Sequence, residues 1–519
     1  MLTVLTIIPI VALLICLIVL KLPVTKSGAI ALGLALVIAV GFFGITGFGL
    51  AVASGKALWL ALFVSLIVWC ALFLYHLVSD FGAIDVINKN ISVLVKDEFV
   101  AFLLLAWLFT GMLQGIAGFG IPSVIVAPIL IALGFNPVKS LSAVLIGHSW
   151  AVTFGSMGAA FFVIQGITKI PPDELGFPVW VFNTVTILMT GIGVCFVHGG
   201  FKSIVKGLGY VIPAAAVMSG MQFLLVRLGM YALGTLVTAL SGLVTLFALY
   251  KIRSKDETDE KIVLYKGKLN LLQSAFPYAL IMLLLVLFQL IPIQIRNTIA
   301  LSFDFPATAT TLEIPHVVAP EPNFNPIRLF AHPFVVLLIA AGVACAIYKK
   351  AGVWDSSVFK NSISKTVKKG VPATLALLAF GNMSLIMMDS GMMVYLAGKV
   401  ADLTGNLYPI FAPFIGVTAT FLTGNNTNSN VMFGEFQRAV AYNLGLSQAV
   451  MSAAQSIAGG LGCAIGSTIV FMAALATKQT DKVPFILKKL IPLVLIIAGI
   501  MGIVNFILIN NYPIMKELS

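Results

Sequence analysis

Long apolar runs separated by short polar segments dominate the chain. Twelve of them reach the roughly 20 residues that a helix needs to cross a bilayer: they lie near 2–22, 27–49, 56–79, 138–166, 178–198, 206–227, 229–250, 271–292, 330–348, 371–398, 447–476 and 485–511. Two further apolar stretches, 99–135 and 406–444, are interrupted, the first by Gly118-Phe119-Gly120-Ile121-Pro122-Ser123 and the second by Thr423-Gly424-Asn425-Asn426-Thr427-Asn428-Ser429-Asn430. Glycine and proline in one, and a run of polar side chains in the other, predict helices broken part-way across the membrane. The backbone N–H and C=O groups freed by such breaks survive at bilayer depth only where they line a cavity. Segment 121–135 reaches about 22 Å as a helix, short of a core about 30 Å thick. Segment 431–444 is shorter still and carries Glu435, Gln437 and Arg438. Each stretch therefore reads as a re-entrant hairpin, with two complete spans joined by an exposed loop as the alternative.

Charge orders these elements. With the N-terminus outside, 23 of the 31 Lys and Arg fall in inside loops and seven in outside loops or the tail, Lys56 and Lys169 among the seven; Arg438 lies in the second hairpin. That bias predicts both termini outside the cytoplasmic membrane. Seven spans separate the hairpins, so they enter from opposite faces. The chain order three spans, hairpin, two spans occurs twice. The expected architecture is thus an all-α polytopic membrane protein of about twelve transmembrane helices and two re-entrant hairpins in two inverted repeats. The repeats cover 1–198, with hairpin 99–135, and 271–519, with hairpin 406–444, and a helix pair and loop at 199–270 link them. This is a repeat pattern of alternating-access carriers. A Pro-rich outside loop at 294–329 carries Glu313 and Glu321.

Composition agrees: 60% of the 519 residues are apolar, 10% are charged, and mean hydropathy is +1.07. The net charge of +12 is spread over short loops rather than one basic face, which argues against nucleic acid. The stretch 1–20 has no basic flank or cleavage site and reads as a retained span. The five cysteines sit apart in apolar spans as packing residues, with no metal or disulfide pattern. No cofactor is expected. HExxH, GxSxG and Asp-rich motifs are absent, which counts against a membrane enzyme; a channel stays open, because re-entrant loops also build selectivity filters.

Chemistry concentrates at the two tips. Pro122 suits the first position of a returning helix, with Ser123 next, and the 425–430 run offers caps for a second. Both helix N-termini would carry partial positive charge toward one midplane point and hold a carboxylate on backbone N–H groups. Hydroxyl and amide donors of Thr427, Asn428 and Ser429 would add hydrogen bonds. The span after each hairpin has its own break, at Gly147-His148-Ser149-Trp150 and at 455–460 ending in Gly459-Gly460, which places both in the same cavity wall. The expected solute-binding set is Gly118, Phe119, Gly120, Ser123, His148, Ser149, Asn425, Asn426, Thr427, Asn428, Ser429, Gly459 and Gly460. Asp389, expected mid-span, and His148 are the candidates for proton coupling. Glu435 and Arg438, three apart on one helix face, are expected to pair.

These residues bring out a resemblance. Gly115-Ile116-Ala117-Gly118-Phe119-Gly120, Leu133-Gly134-Phe135, Phe154-Gly155-Ser156-Met157-Gly158, Phe421-Leu422-Thr423-Gly424, then Thr427, Ser429, Asn430 and Gly459-Gly460 resemble the L-lactate permease family, of the ion-transporter superfamily of inverted-repeat carriers. The resemblance implies proton-coupled symport of L-lactate and related 2-hydroxymonocarboxylates such as glycolate and D-lactate. The chain departs from the family pattern at Gln114, Asn426 and His148, where the family carries Glu, Asp and Asn, and at Ile465-Gly466-Ser467-Thr468. Proton coupling carried by Asp389 or His148, or a different substrate, would account for the lost acids. A sodium-coupled carrier or sodium/proton exchanger on the same scaffold is the alternative. Expected partners are a small carboxylate anion, a proton and membrane lipid, with a homodimer left open.

Overall fold

The computed structural model describes residues 1–518 apart from Lys21, Ala117, Phe119, 254–264, Lys266, 312–315 and Ala331. Glu313 therefore lies outside the described residues. Eleven described helices are long and apolar enough to cross a membrane, or twelve if Pro137–Ala151 and Gly155–Thr168, bent by 53° at their break, count as one span. Their perimeters expose apolar side chains such as Val37, Leu58, Ile212 and Ile496, an apolar belt of the kind a bilayer covers. The chain is an all-α polytopic membrane protein.

Several boundaries differ from those the hydropathy predicts, and each has a local cause. The third helix starts at Gly47, because the Thr46 side chain accepts the Gly49 N–H at 3.0 Å and caps it there; the helix continues to Asp80. Lys56, expected in a loop, lies inside it and is fully buried. The predicted span 371–398 is instead Ser356–Asp389, capped by Asp355, followed after Gly391 (φ 81°) by the separate helix Met392–Thr404. Asp389 is thus the last residue of its helix rather than a mid-span residue. Pro172–Arg227 runs through two predicted spans, with non-helical backbone at Gly199 and Gly200.

Packing sorts the helices into two sets. Leu2–Leu14, Val24–Phe43, Gly47–Asp80, Leu271–Leu290, Pro333–Lys350 and Ser356–Asp389 pack on one another. The two interrupted stretches, the helices that follow them, Pro172–Arg227, Leu236–Arg253 and Val483–Leu518 form the other set. The sets meet where Asn426–Asn443 packs on Ser356–Asp389 and Met392–Thr404, and where Gly155–Thr168 packs on Gly47–Asp80. The described residues of segment 294–329 include two small antiparallel pairs, Ala300–Phe305 with Glu321–Arg328 and Thr308–Ala309 with Val317–Val318. It is pinned to the first set by the Trp59 indole N–H donating to the Asn325 carbonyl (3.0 Å) and by the Thr311 N–H donating to the Gly44 carbonyl (2.9 Å).

Candidate binding site at two helix breaks

The first interrupted stretch rises as Glu98–Ile116, which contains a wide π turn at Leu104–Phe109, is non-helical at Gly118 and Gly120, and returns as Ile121–Ala132 with Pro122 in its first turn. Gly120 takes φ 78°, a conformation that favours glycine, and the Ser123 hydroxyl donates to the Gly120 carbonyl at 2.7 Å. The Gly118 N–H donates to Ser156 Oγ at 2.8 Å.

The second stretch rises as Tyr408–Thr423, turns at Gly424 (φ 80°) and returns as Asn426–Asn443. The Asn425 side chain caps the returning helix by accepting the Asn428 N–H at 2.8 Å. Each returning arm packs on the broken span from the other half of the chain: Ile121–Ala132 on Ser467–Ala476, and Asn426–Asn443 on Gly155–Thr168. This exchange brings the two breaks together.

Between them lies a cavity of about 350 Å³ including its mouth, bordered by Gln114, Gly120, His148, Ser156, Asn425, Asn426, Thr427 and Cys463 among others. No Lys, Arg, Asp or Glu is among those lining residues. His148 is buried, and its Nδ1–H donates to the Val144 carbonyl at 3.0 Å; a carbonyl can only accept, so in the neutral ring Nε2 carries the lone pair.

The expected site residues divide by what already holds them. Asn426 Nδ2 donates to the Ser456 carbonyl (2.9 Å) and Thr153 Oγ1 (3.3 Å), and Asn430 Nδ2 donates to the Ala160 carbonyl (3.0 Å) and Ser456 Oγ (2.9 Å). Ser429 turns away from the cavity: its hydroxyl donates to the Gly416 carbonyl (3.3 Å) and accepts from Gln455 Nε2 (3.0 Å). The Ser149 hydroxyl donates to the Ile146 carbonyl at 2.8 Å and closes a helix end. Thr427 and Asn428 differ. Their side chains make no hydrogen bond to the rest of the described protein, and both face cavities.

Gly459 and Gly460 sit inside the helix Gln448–Gly462 and do not break it; the break comes later, before Ser467. Their lack of a side chain serves packing instead. A Cβ on Gly459 would overlap Asn426 Oδ1, and one on Gly460 would press on the Ser149 carbonyl at 3.3 Å and Thr153 Oγ1 at 3.4 Å. Neither residue borders the cavity. Phe119 lies outside the described residues. Ser156 and Cys463 line the cavity unforeseen, Gln114 lines it at a position already marked by its departure from the family pattern, and Thr153 stands behind Asn426. The Phe-Gly-Ser-Met-Gly run was the available signal for Ser156, since Ser156, Met157 and Gly158 all take positive φ.

Asp389 is not with the others. Its Oδ2 accepts from Lys56 Nζ at 3.1 Å, and both side chains are fully buried. Lys56 also donates to Glu321 Oε1 at 2.8 Å, and Glu321 in turn accepts from Lys169 at 2.6 Å. This ionic chain links Gly47–Asp80, the end of Ser356–Asp389, the strand-bearing segment and the end of Gly155–Thr168. Nearby, His316 packs on Gly391, and burial pushes its imidazole below its ordinary pKa against the pull of Asp389. Arg438 pairs with Glu435 through Nε at 2.7 Å and donates to Gln448 at 2.7 Å, as the spacing of the pair predicts.

The model of one family, L-lactate permease, matches residues 3–511. The chain belongs to the L-lactate permease family. Among its relatives, the glycolate permease GlcA of Escherichia coli (strain K12) is 25% identical over 96% of this chain and 94% of its own. The L-lactate permease of Bacillus subtilis (strain 168) is 25% identical over 91% and 90%. The crystal structure of the Alcanivorax borkumensis YdaH transporter matches 89% of this chain and 88% of its own, with 13% identity and a TM-score of 0.49, too distant to carry an argument. Membership makes the chain a multi-pass membrane transporter of the permease class, whose substrates are small anions.

Proposed function

We propose that this protein is a secondary carrier that takes up L-lactate and related small 2-hydroxymonocarboxylates, glycolate and D-lactate included, together with a proton across the cytoplasmic membrane. The observation that carries the reading is the cavity between the two breaks. Gln114, His148, Ser156, Asn425, Asn426 and Thr427 line it beside apolar residues, none of its lining residues carries a fixed charge, and a capped helix N-terminus stands at its edge. Partial positive charge at a helix start holds a carboxylate without a buried cation whose charge would have to be matched when the site is empty. The side chains of Thr427 and Asn428 supply further hydrogen-bonding groups with no partner among the described residues. The names of the relatives, L-lactate permease and glycolate permease, support the substrate class.

Of the two coupling candidates, His148 is favoured. It borders the cavity, and with Nδ1–H held by the Val144 carbonyl its Nε2 lone pair is the ring position that can take a proton as the anion binds. Asp389 is already neutralised by Lys56. In this reading the chain is two inverted repeats, 1–198 and 271–519, with both termini outside, and the hairpins open toward opposite faces. A vestibule of about 980 Å³ runs from Lys368 and Lys369 to Gly424, Asn425 and Asn428 and would be the cytoplasmic entrance.

Uptake of labelled L-lactate into proteoliposomes under an imposed proton or sodium gradient tests the reading. Accumulation should follow the proton gradient alone. In His148→Gln it should lose that dependence while lactate counterflow continues, whereas Asp389→Asn should remain gradient-driven. Accumulation that follows sodium, or survives intact in His148→Gln, contradicts the assignment.

A further inference from the structure

A second, narrow cleft of about 240 Å³, its open mouth included, lies at the second tip, between Gly47–Asp80 and Ser356–Asp389. Val64, Ser65, Val68, Ala373, Thr374 and Leu377 line it, together with Thr427 and Asn428 of the tip. The polar atoms of the two long helices are already engaged there. Ser65 Oγ and Thr374 Oγ1 share a hydrogen bond at 3.0 Å, and the Trp69 indole N–H donates to Thr374 Oγ1 at 2.9 Å. What remains toward the space is the apolar surface of Val64, Val68, Ala373 and Leu377. Opposite it stand the two tip side chains with no hydrogen bond inside the described protein.

Thr427 borders both this cavity and the one containing His148, and Asn428 borders both this cavity and the vestibule. The tip is therefore a junction with a polar side and an apolar side, provided by different helix sets. A 2-hydroxy acid has the same division: its carboxylate and hydroxyl share one end, and the carbon substituent at C2 points away from them.

We propose that Val64, Val68, Ala373 and Leu377 form the wall that reads the carbon substituent of the substrate, and so set which 2-hydroxy acids are carried. The inference rests on the carrier reading given above. Discrimination here is a matter of room, because an apolar pocket resolves one methylene by about ten- to 200-fold.

Competition among glycolate, L-lactate and L-2-hydroxybutyrate in proteoliposomes tests it, with wild-type lactate uptake measured first. Leu377→Ala and the milder Val64→Ala enlarge the wall and should raise kcat/KM for 2-hydroxybutyrate relative to lactate by about ten-fold or more. Ala373→Val, which narrows the space, should lower lactate relative to glycolate by a similar factor. Unchanged ratios in the variants that still carry lactate overturn the wall and leave the carrier reading standing. Absence of uptake of all three acids by the wild type overturns the carrier reading, and the wall with it.

Discussion

Asn426, Asn430, Thr153 and Ser456 meet beside the second tip as four neutral side chains, whereas Lys56, Asp389, Glu321 and Lys169 meet at the strand-bearing segment as four charged ones. Both clusters tie distant parts of the chain together, and both are largely buried. They differ in what they leave for a solute. The ionic cluster neutralises itself, and its energy depends on every partner being present, because a lone buried charge is far costlier than a lone buried amide. The neutral cluster fixes helix ends in place without a net charge, so an arriving carboxylate meets partial charges rather than a fixed rival anion. The molecule thus keeps its full charges away from the cavity and uses amides and hydroxyls around it.

Substitutions should separate the two designs. The largest effect should come from Lys56→Met, which leaves Asp389 and Glu321 short of a buried counter-charge and should cost about 3–5 kcal/mol in thermal unfolding of the purified protein. Adding Asp389→Leu to Lys56→Met should recover part of that loss; no recovery would mean that the two residues are not coupled. Gly459→Ala comes next. The new methyl group displaces the Asn426 side chain, and overpacking of about 1–3 kcal/mol should appear as weaker lactate binding with the fold retained, read by ligand titration. Asn425→Ala removes the cap of the returning helix and should cost about 1 kcal/mol, again in thermal unfolding. The smallest effect belongs to Lys169→Gln. Lys169 is 42% exposed, so its pairing with Glu321 should contribute at most about 1 kcal/mol and should fade as salt is raised.

Much of this arrangement is legible in the sequence where local chemistry decides. Gly424 followed by Asn425 marks a turn and a cap from residue type alone, and Gly120 with Pro122 marks another. Hydropathy finds the spans because lipid imposes a length on them. It misplaces Lys56, since a lone cation near the start of an apolar run looks like a loop residue until Asp389 and Glu321, more than 260 positions away, are seen beside it. It also treats the 425–430 run as one polar unit. Only the packed structure separates Asn426, Ser429 and Asn430, whose side chains hydrogen-bond within the protein, from Thr427 and Asn428, whose side chains have no hydrogen bond among the described residues. Gly459 and Gly460 look like a helix break in one dimension. In three they are the flat face that lets Asn426 and the 149–153 segment approach the helix Gln448–Gly462.

The account turns on a small carboxylate occupying the tip of the second hairpin, and labelling of Thr427→Cys in a cysteine-depleted background measures this most directly. L-Lactate should slow modification by a small thiol reagent in proportion to its occupancy, while a cysteine replacing the exposed Leu403 should react at the same rate with or without it. A Thr427→Cys protein that still transports lactate, yet reacts equally fast in saturating lactate and in its absence, would contradict the proposed site.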